Sequence, residues 1–178
     1  ETCVIIGMGP SLRVSDLDRF KGITTIACNK IYLAFDETDW RPDYYMVSDV
    51  LVAENNKDGI DGIEAQKFFP EGLEKYCNGG SHINWIPRSK SSNYRPGKSV
   101  GFADDLKSGI EPGGGTVIYD MLQFAYHLGF VEVAIVGVDF SFSLSESSGK
   151  SCEQGEVLIS AGEVNHFTKD YRKPGETW

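Results

Sequence analysis

The chain contains a series of short apolar runs, each bounded by Gly, Asn, Asp or Ser. Runs of this length, rich in β-branched and aromatic side chains, predict buried strands. We expect five strands, at residues 3–6, 23–28, 44–47, 82–86 and 131–138. The last run is apolar almost throughout, which predicts a central strand that is covered on both faces.

One long helix is predicted between the fourth and fifth runs. Thr116 is a good N-cap and Gly129 is a good C-terminal stop. Apolar residues at helical spacing are expected to share one face: Val117, Ile118, Met121, Leu122, Ala125 and Leu128. A shorter capped helical turn is predicted at residues 15–20.

The remaining segments have weaker periodicity. Residues 55–62 are rich in Asn, Asp and Gly and predict a loop, whereas residues 64–76 predict one or two short helices broken at Pro70. Residues 88–115 have scattered Ser, Gly and Pro, as is typical of a binding loop or a mobile lid. The serine-rich residues 140–162 predict a further loop.

The order of strand, loop, helix and strand predicts the fold class. We expect an α/β protein with a Rossmann-like, mostly parallel sheet and helices on both faces, forming a single domain over residues 1–178. In such sheets ligands bind beyond the carboxyl ends of the strands. This rule brings together polar residues that follow predicted strands: Gly7, Gly9, Ser11, Asn29, Asp49 and Asp139.

Composition limits the function classes. The chain has 178 residues, 40% of them hydrophobic, and a formal net charge of −9. A charge of this sign argues against nucleic acid as a partner, but a small nucleotide can still bind at a locally favourable site. We expect no membrane span and no signal peptide, because neither a long apolar run nor a basic leader is present.

The four cysteines give a weak indication of compartment. No two of them have the C-x-x-C spacing of a zinc or redox motif, so we expect no metal site of that kind. Cys3 and Cys28 lie in apolar strands and are expected to be buried thiols. We therefore expect a cytoplasmic protein, with a peripheral position at the inner membrane as the alternative.

The first glycine-rich loop, residues 7–12, is the best local signal for a ligand. Gly7 and Gly9 would let backbone amides approach a phosphate, and Ser11 would add a hydroxyl. The loop is neither a full G-x-G-x-x-G motif nor a Walker loop. A plain tight turn between strand and helix explains it equally well.

A second run of glycines ends at Gly115 and precedes Thr116 at the start of the long helix. It predicts a second anion site, or else a hinge that lets the helix begin. Asp49 and Asp139 follow apolar strands, where carboxylates can bind a metal, a ribose or an acceptor hydroxyl. Either Asp can instead cap a turn or helix, and so can Asn29.

His166 is the histidine with the most chemical potential. It lies in a polar segment with Lys169, Tyr171 and Arg172. A histidine can act as a general base near neutral pH, and the two cations can neutralise a phosphate leaving group. An ordinary surface histidine is the alternative. No pair of histidines has metal-ligand spacing, so we expect no zinc site.

Three segments carry a resemblance to known families. The residues at 7–12, 28–30 and 128–140 resemble, in that order, the bacterial sialyltransferases that use CMP-sialic acid. They also resemble a broader family of surface-polysaccharide and flagellin-glycosylation proteins, named for a 6-hydroxymethylpterin diphosphokinase. The segment around His166 and Tyr171 is more similar to this broader family.

The resemblance implies a nucleotide-sugar donor and a glycan or glycoprotein acceptor. Gly7, Gly9, Ser11, Asn29 and Thr116 match positions that contact the donor in the sialyltransferases. His166 matches the late histidine that takes the proton of the acceptor hydroxyl. The reaction would be direct displacement at the anomeric carbon, with CMP as the leaving group and no required cofactor.

This chain departs from the sialyltransferase pattern at several positions. Met8 and Asp49 stand where sialyltransferases have asparagines, and Ser141 stands where they have a tyrosine that assists the leaving phosphate. Tyr171 is our candidate substitute for that tyrosine. Two alternatives follow, a diphosphokinase that needs Mg²⁺ and ATP with Asp49 near the metal, and a non-catalytic nucleotide-sugar binding domain.

Overall fold

The computed structural model describes residues 1–77, 82–89, 101–111, 116–141, 143, 147–152, 155–160 and 164–177. Within these ranges, six strands form one parallel sheet and two more form an antiparallel hairpin. The strands are β1 (Thr2–Ile6), β2 (Thr24–Cys28), β3 (Tyr44–Met46), β4 (Gln66–Pro70), β5 (Ile83–Ile86), β6 (Glu132–Val136), β7 (Ser147–Cys152) and β8 (Gly155–Ser160). The α-helices are α1 (Val14–Leu17), α2 (Val50–Asn55), α3 (Lys57–Asp61) and α4 (Val117–His127).

The strand order is β5-β4-β3-β2-β1-β6, and every neighbouring pair is parallel. The chain moves outward from β1 to β5 and then returns to the other side of β1 with β6. The position between β1 and β6 is therefore the switch point of the sheet, and in open α/β sheets ligands bind at the carboxyl ends of the strands beside such a point. This architecture confirms the predicted Rossmann-like α/β fold.

The core lies around β1, β2 and the inner face of α4. Ile5, Ile6 and Ile26 have no exposed surface. The ring of Phe124 on α4 packs 5.3 Å from that of Tyr44 and 4.3 Å from that of Phe68, measured between centroids. The predicted helix is confirmed, with the Thr116 hydroxyl accepting a hydrogen bond from the Ile118 amide.

The prediction that residues 131–138 form a central strand is wrong. The strand exists as β6, but within the described chain it pairs with β1 alone and forms an edge of the sheet. Val131 is 85% exposed and Ile135 is 47% exposed. An apolar run shows which residues can be buried, whereas the connection through α4 decides where the strand enters the sheet.

The loop predicted at residues 55–62 is also wrong, because residues 50–61 form α2 and α3. Asp49 caps α2 through a hydrogen bond from the Val52 amide to its carboxylate. Buried Ala53 and Ile60 attach the two helices to the core. Tertiary packing therefore stabilises helices in a stretch whose local composition favours a loop.

The helices predicted at residues 64–76 are replaced by β4 and a 3₁₀ turn, Leu73–Lys75. β4 pairs with β3 on one side and β5 on the other, and Phe69 on it is fully buried. Pro70 is the last residue of the strand, so the proline ends a strand rather than dividing two helices.

Three smaller predictions are corrected. Residues 147–152 and 155–160, expected to be loop, form the paired strands β7 and β8, since backbone pairing does not require apolar side chains. The helical turn at residues 15–20 is present as α1 and a 3₁₀ turn, but Arg13 at its N-cap makes no side-chain hydrogen bond. Leu128 is 40% exposed and does not join the buried face of α4.

The described part of residues 88–115 is attached to α4. The Gln123 side chain accepts hydrogen bonds from the amides of Ala103 and Glu111, at 3.1 and 3.0 Å, and donates to the Glu111 carbonyl. Ile110, between them, is fully buried. Residues 90–100 and 112–115 lie outside the described chain, so the lid stays a prediction.

Candidate functional site

The candidate site lies at the switch point, where the loop after β1 meets the residues after β6. We call residues 7–11 the glycine loop. The Gly7 amide donates to the Val136 carbonyl at 2.8 Å, and the Gly9 amide donates to the Gly137 carbonyl at 2.7 Å. Both amides that a phosphate would use are therefore already hydrogen-bonded to the end of β6.

Close packing explains why the loop contains glycines. A Cβ atom on Gly7 would lie 2.4 Å from the Gly137 carbonyl oxygen. One on Gly9 would lie 2.0 Å from a carboxylate oxygen of Asp139. Gly137 has a φ of +65°, and a Cβ there would lie 2.6 Å from the Gly7 carbonyl oxygen. The glycines thus allow the ends of β1 and β6 to touch.

Asp139 supplies an anion to the glycine loop from within the chain. Its Oδ2 accepts a hydrogen bond from the Ser11 amide at 3.1 Å. Asp139 is half-buried, whereas Ser11 is exposed. In this arrangement one loop amide binds a carboxylate, so Asp139 places a hydrogen-bond acceptor beside the loop.

Asn29 lies beside this loop, at the end of β2. Its φ of +46° is left-handed, a conformation that asparagine tolerates better than most residues. The Tyr45 hydroxyl donates to its carbonyl oxygen. Its side-chain Oδ1 is buried and receives no hydrogen bond from the described residues. A buried acceptor of this kind is costly unless a donor is supplied.

The C-terminal segment, residues 164–177, brings His166 and Tyr171 to the same edge. The Phe167 amide donates to the Met8 carbonyl of the glycine loop at 2.9 Å. The His166 ring stacks on the Tyr171 ring, with centroids 3.7 Å apart and planes 5° from parallel. The structure therefore places the predicted base next to the predicted nucleotide loop.

Tyr171 is buried, and its environment keeps the phenol neutral. Burial raises its pKa far above the ordinary value; the nearby Cys28 adds to this effect, and Arg172 and the Asn29 side chain oppose it. A neutral phenol can donate a hydrogen bond but cannot serve as a base at neutral pH. The phenol therefore has the chemistry of a hydrogen-bond donor and not of a proton acceptor.

Lys30 fixes the C-terminal segment and was not singled out by sequence reasoning. Its Nζ donates to the Tyr171 carbonyl at 2.6 Å and pairs with the Glu176 carboxylate. The Lys30 side chain is almost fully buried. Its position directly after Asn29 was the available signal, because a lysine at a strand end in this fold faces the binding edge.

The two predicted phosphate-neutralising residues differ in position. Arg172 is half-buried and close enough to Tyr171 to lower the pKa of that phenol. Lys169 is exposed on the 3₁₀ turn Lys169–Tyr171. Both lie on the same short segment as His166.

Asp49 and Thr116 make capping contacts in this structure. Asp49 is exposed and caps α2, and Thr116 caps α4 at 3.3 Å. Gly115 lies outside the described residues, so the second glycine run has no structural account. Within the described chain, no group of three or more His, Cys, Asp or Glu side chains is arranged to hold a metal ion.

Sequence reasoning missed a buried polar cluster at the same edge of the sheet. Asp120, in the first turn of α4, is 2% exposed and accepts hydrogen bonds from Ser48 after β3 and Arg88 after β5. The guanidinium nitrogens lie 3.1 and 3.0 Å from the two carboxylate oxygens. The available signal was Asp120 itself, the one acidic residue within the helix.

Comparisons with known proteins support the fold. No protein-family model and no curated protein matches the chain. Among solved structures, the chain is similar to the Maf glycosyltransferase of Magnetospirillum magneticum AMB-1, with a TM-score of 0.52 and 18% identity. The match covers 89% of this chain and 27% of that one. At this identity the likeness establishes a shared fold, and function depends on the site.

In the described part of the chain, no helix combines the length and the apolar character needed to cross a bilayer.

Proposed function

We propose that this chain binds a nucleotide-activated sugar at the carboxyl edge of its sheet and transfers the sugar to an acceptor hydroxyl. The observation that carries this proposal is the meeting of four elements at one switch point. They are the glycine loop, the unsatisfied Oδ1 of Asn29, the Asp139 carboxylate and the stacked pair of His166 and Tyr171.

The hydrogen bonding of the glycine loop indicates which part of the donor it contacts. The Gly7 and Gly9 amides are used by β6 and the Ser11 amide by Asp139, so these three amides are not available to a phosphate, and the Asp139 carboxylate beside them is an acceptor. Acceptors recognise hydroxyl groups. We therefore assign the ribose or sugar hydroxyls to Asp139, in the manner of the acidic residue that binds ribose in dinucleotide-binding folds.

His166 is the proposed general base. It would take the proton of the acceptor hydroxyl as that oxygen attacks the anomeric carbon, while the bond from this carbon to the phosphate oxygen breaks. Tyr171, as a neutral phenol, and Arg172 would stabilise the departing phosphate. A CMP-linked acidic sugar is the first donor to test, since it is what the sialyltransferase-like segments imply.

A nucleotide panel tests whether the site exists. CMP, CDP, UDP, GDP and ATP would each be added with and without Mg²⁺, and the melting temperature measured. A ligand that binds only the folded chain raises that temperature by mass action. We expect stabilisation by CMP without a metal requirement. Stabilisation by Mg-ATP alone would favour the diphosphokinase and contradict the proposal.

A histidine exchange tests for catalysis. His166→Asn should lower turnover of a CMP-sugar about 10²-fold or more while nucleotide binding survives. His82→Asn is the matched control, since His82 is exposed at the start of β5, away from the carboxyl edge. Equal turnover in both variants would show that the chain does not use His166 as a base.

A further inference from the structure

Arg88, Asp120 and Ser48 form a polar cluster in which the two charged side chains differ in exposure, a difference that a purely structural ion pair does not require. Asp120 is 2% exposed and would be costly to bury without its two hydrogen-bond donors. The Arg88 side chain, by contrast, is 34% exposed. One partner of the pair is therefore in the interior while the other reaches the surface.

The geometry leaves part of the guanidinium available. Arg88 donates an N–H of Nη1 to Asp120 Oδ1 at 3.1 Å, and its Nη2 lies 3.0 Å from Asp120 Oδ2. A guanidinium has five N–H donors in a rigid plane, and at least three of them make no hydrogen bond within the described residues, so they can serve another acceptor. The buried carboxylate fixes the plane, and an arginine held in this way loses little side-chain entropy when it binds an anion.

The cluster lies at the same edge of the sheet as the glycine loop. Ser48 and Arg88 follow the carboxyl ends of β3 and β5. The C-terminus of α4 leads into the start of β6, so its N-terminus, which carries Asp120, lies at the carboxyl edge as well. From β6 to β3 is three strand spacings, or about 14 Å, a span that a nucleotide-sugar can bridge.

We propose that Arg88 contacts the phosphate of the nucleotide and that Asp120 and Ser48 are its positioning residues. This inference rests on the proposed function. It follows from the division of chemistry along the edge: Asp139 places an acceptor beside the glycine loop, whereas Arg88, held by Asp120, offers a fixed cation whose other N–H donors are unused within the described residues. The anionic phosphate then binds between the Arg88 cluster and the C-terminal segment that carries Tyr171 and Arg172, and hydroxyl groups bind at Asp139.

The test compares CMP with cytidine by calorimetric titration, because the two ligands differ only in the phosphate. The main variant is the double exchange R88Q/D120N, which replaces the charged pair with a neutral one of similar shape and leaves no unpaired charge in the interior. Arg19→Gln on the exposed surface of the 3₁₀ turn after α1 is the control for the lost positive charge.

The wild-type chain and Arg19→Gln should bind CMP more tightly than cytidine. In R88Q/D120N the affinity for CMP should fall about tenfold or more, as expected for a lost charge-assisted hydrogen bond, while that for cytidine changes little. Arg88→Lys should recover part of the CMP affinity, because it restores the charge without the planar geometry.

Two results would overturn the inference, and they are distinguishable. If the wild-type chain binds CMP and a folded R88Q/D120N binds it equally well, Arg88 does not contact the phosphate, and the proposed function still stands. If the wild-type chain binds no nucleotide at all, the proposed function fails and this inference fails with it. Circular dichroism and a melting curve establish that each variant is folded.

Discussion

β1 and β6 are adjacent parallel strands of similar apolar composition, yet they occupy different environments. Ile5 and Ile135 are direct partners in the register between them. Ile5 has no exposed surface, whereas Ile135 is 47% exposed. β1 has a strand on each side, and β6 has one only on the side of β1 within the described chain. Burial is thus set by neighbours as well as by sequence.

The two strands are packed equally tightly at their carboxyl ends. Gly7 and Gly137 approach each other so closely that neither has room for a Cβ atom. Asp139 then reaches across to the Ser11 amide. The carboxyl edge of the sheet is therefore tightly packed even where one of its strands, β6, is exposed.

The largest expected effect is a difference in stability between variants of β1 and variants of β6. Ile5→Ala should lower the free energy of unfolding by about 2–5 kcal/mol, because it leaves a cavity in the core. Ile135→Ala should cost less than about 1 kcal/mol, since that side chain is already half in solvent. Urea denaturation measures both, and equal costs would contradict the edge position of β6.

The second effect tests the contact between the strand ends. Gly137→Ala should cost about 1–3 kcal/mol more than Gly22→Ala. Both glycines have positive φ, but only Gly137 has backbone within 3 Å of the new Cβ atom, whereas nothing lies within 4 Å at Gly22. Thermal unfolding of the two variants gives the difference, and a difference near zero would mean that the ends do not touch.

The third effect concerns the carboxylate in the glycine loop. Asp139→Asn should cost about 1 kcal/mol, because a neutral amide oxygen is a weaker acceptor for the Ser11 amide. Asp49→Asn is the control and should be nearly neutral, since asparagine caps a helix as well as aspartate does. Urea midpoints at neutral pH compare the two, and equal losses would argue against a special role for Asp139.

The smallest effect is a pH dependence on the β2 side of β1. Burial raises the pKa of the Cys28 thiol to about 12, from 9.0. Because the folded pKa is raised, this stabilisation is complete below pH 9 and is lost as the pH rises toward 12. Between pH 7.5 and 9.5 we expect a loss of about 0.8 kcal/mol. Cys28→Ala should flatten the profile, and an unchanged slope would mean that the thiol does not contribute.

Much of the sheet follows from local sequence, since β1, β2, β3, β5 and β6 are short apolar runs with clear ends. β4 was not predicted, because Gln66 and Lys67 precede its aromatic residues and Pro70 ends it. This segment becomes a strand because it fills the position between β3 and β5. The helices α2 and α3 were not predicted either, because their stability comes from the packing of Ala53 and Ile60 on the core.

The candidate site, like the sheet, could be predicted only in part from the sequence. Asn29, Asp139 and the glycine loop could be assigned to one edge, because parallel strands bring their carboxyl ends together. The internal hydrogen bonds of the loop could not be foreseen, since they depend on how closely β6 approaches β1. The Arg88–Asp120 pair joins residues 32 positions apart and has no local pattern.

The most direct test of the account is to map nucleotide binding residue by residue, with a ¹⁵N-labelled chain titrated with CMP and followed by amide chemical shifts. The account predicts that the largest changes fall at the carboxyl edge, on Ser11, Asn29, Asp139 and the residues around His166. The amide of His82 at the opposite edge should not move. Binding that shifts the opposite edge and leaves the glycine loop unchanged would contradict a nucleotide site at the switch point.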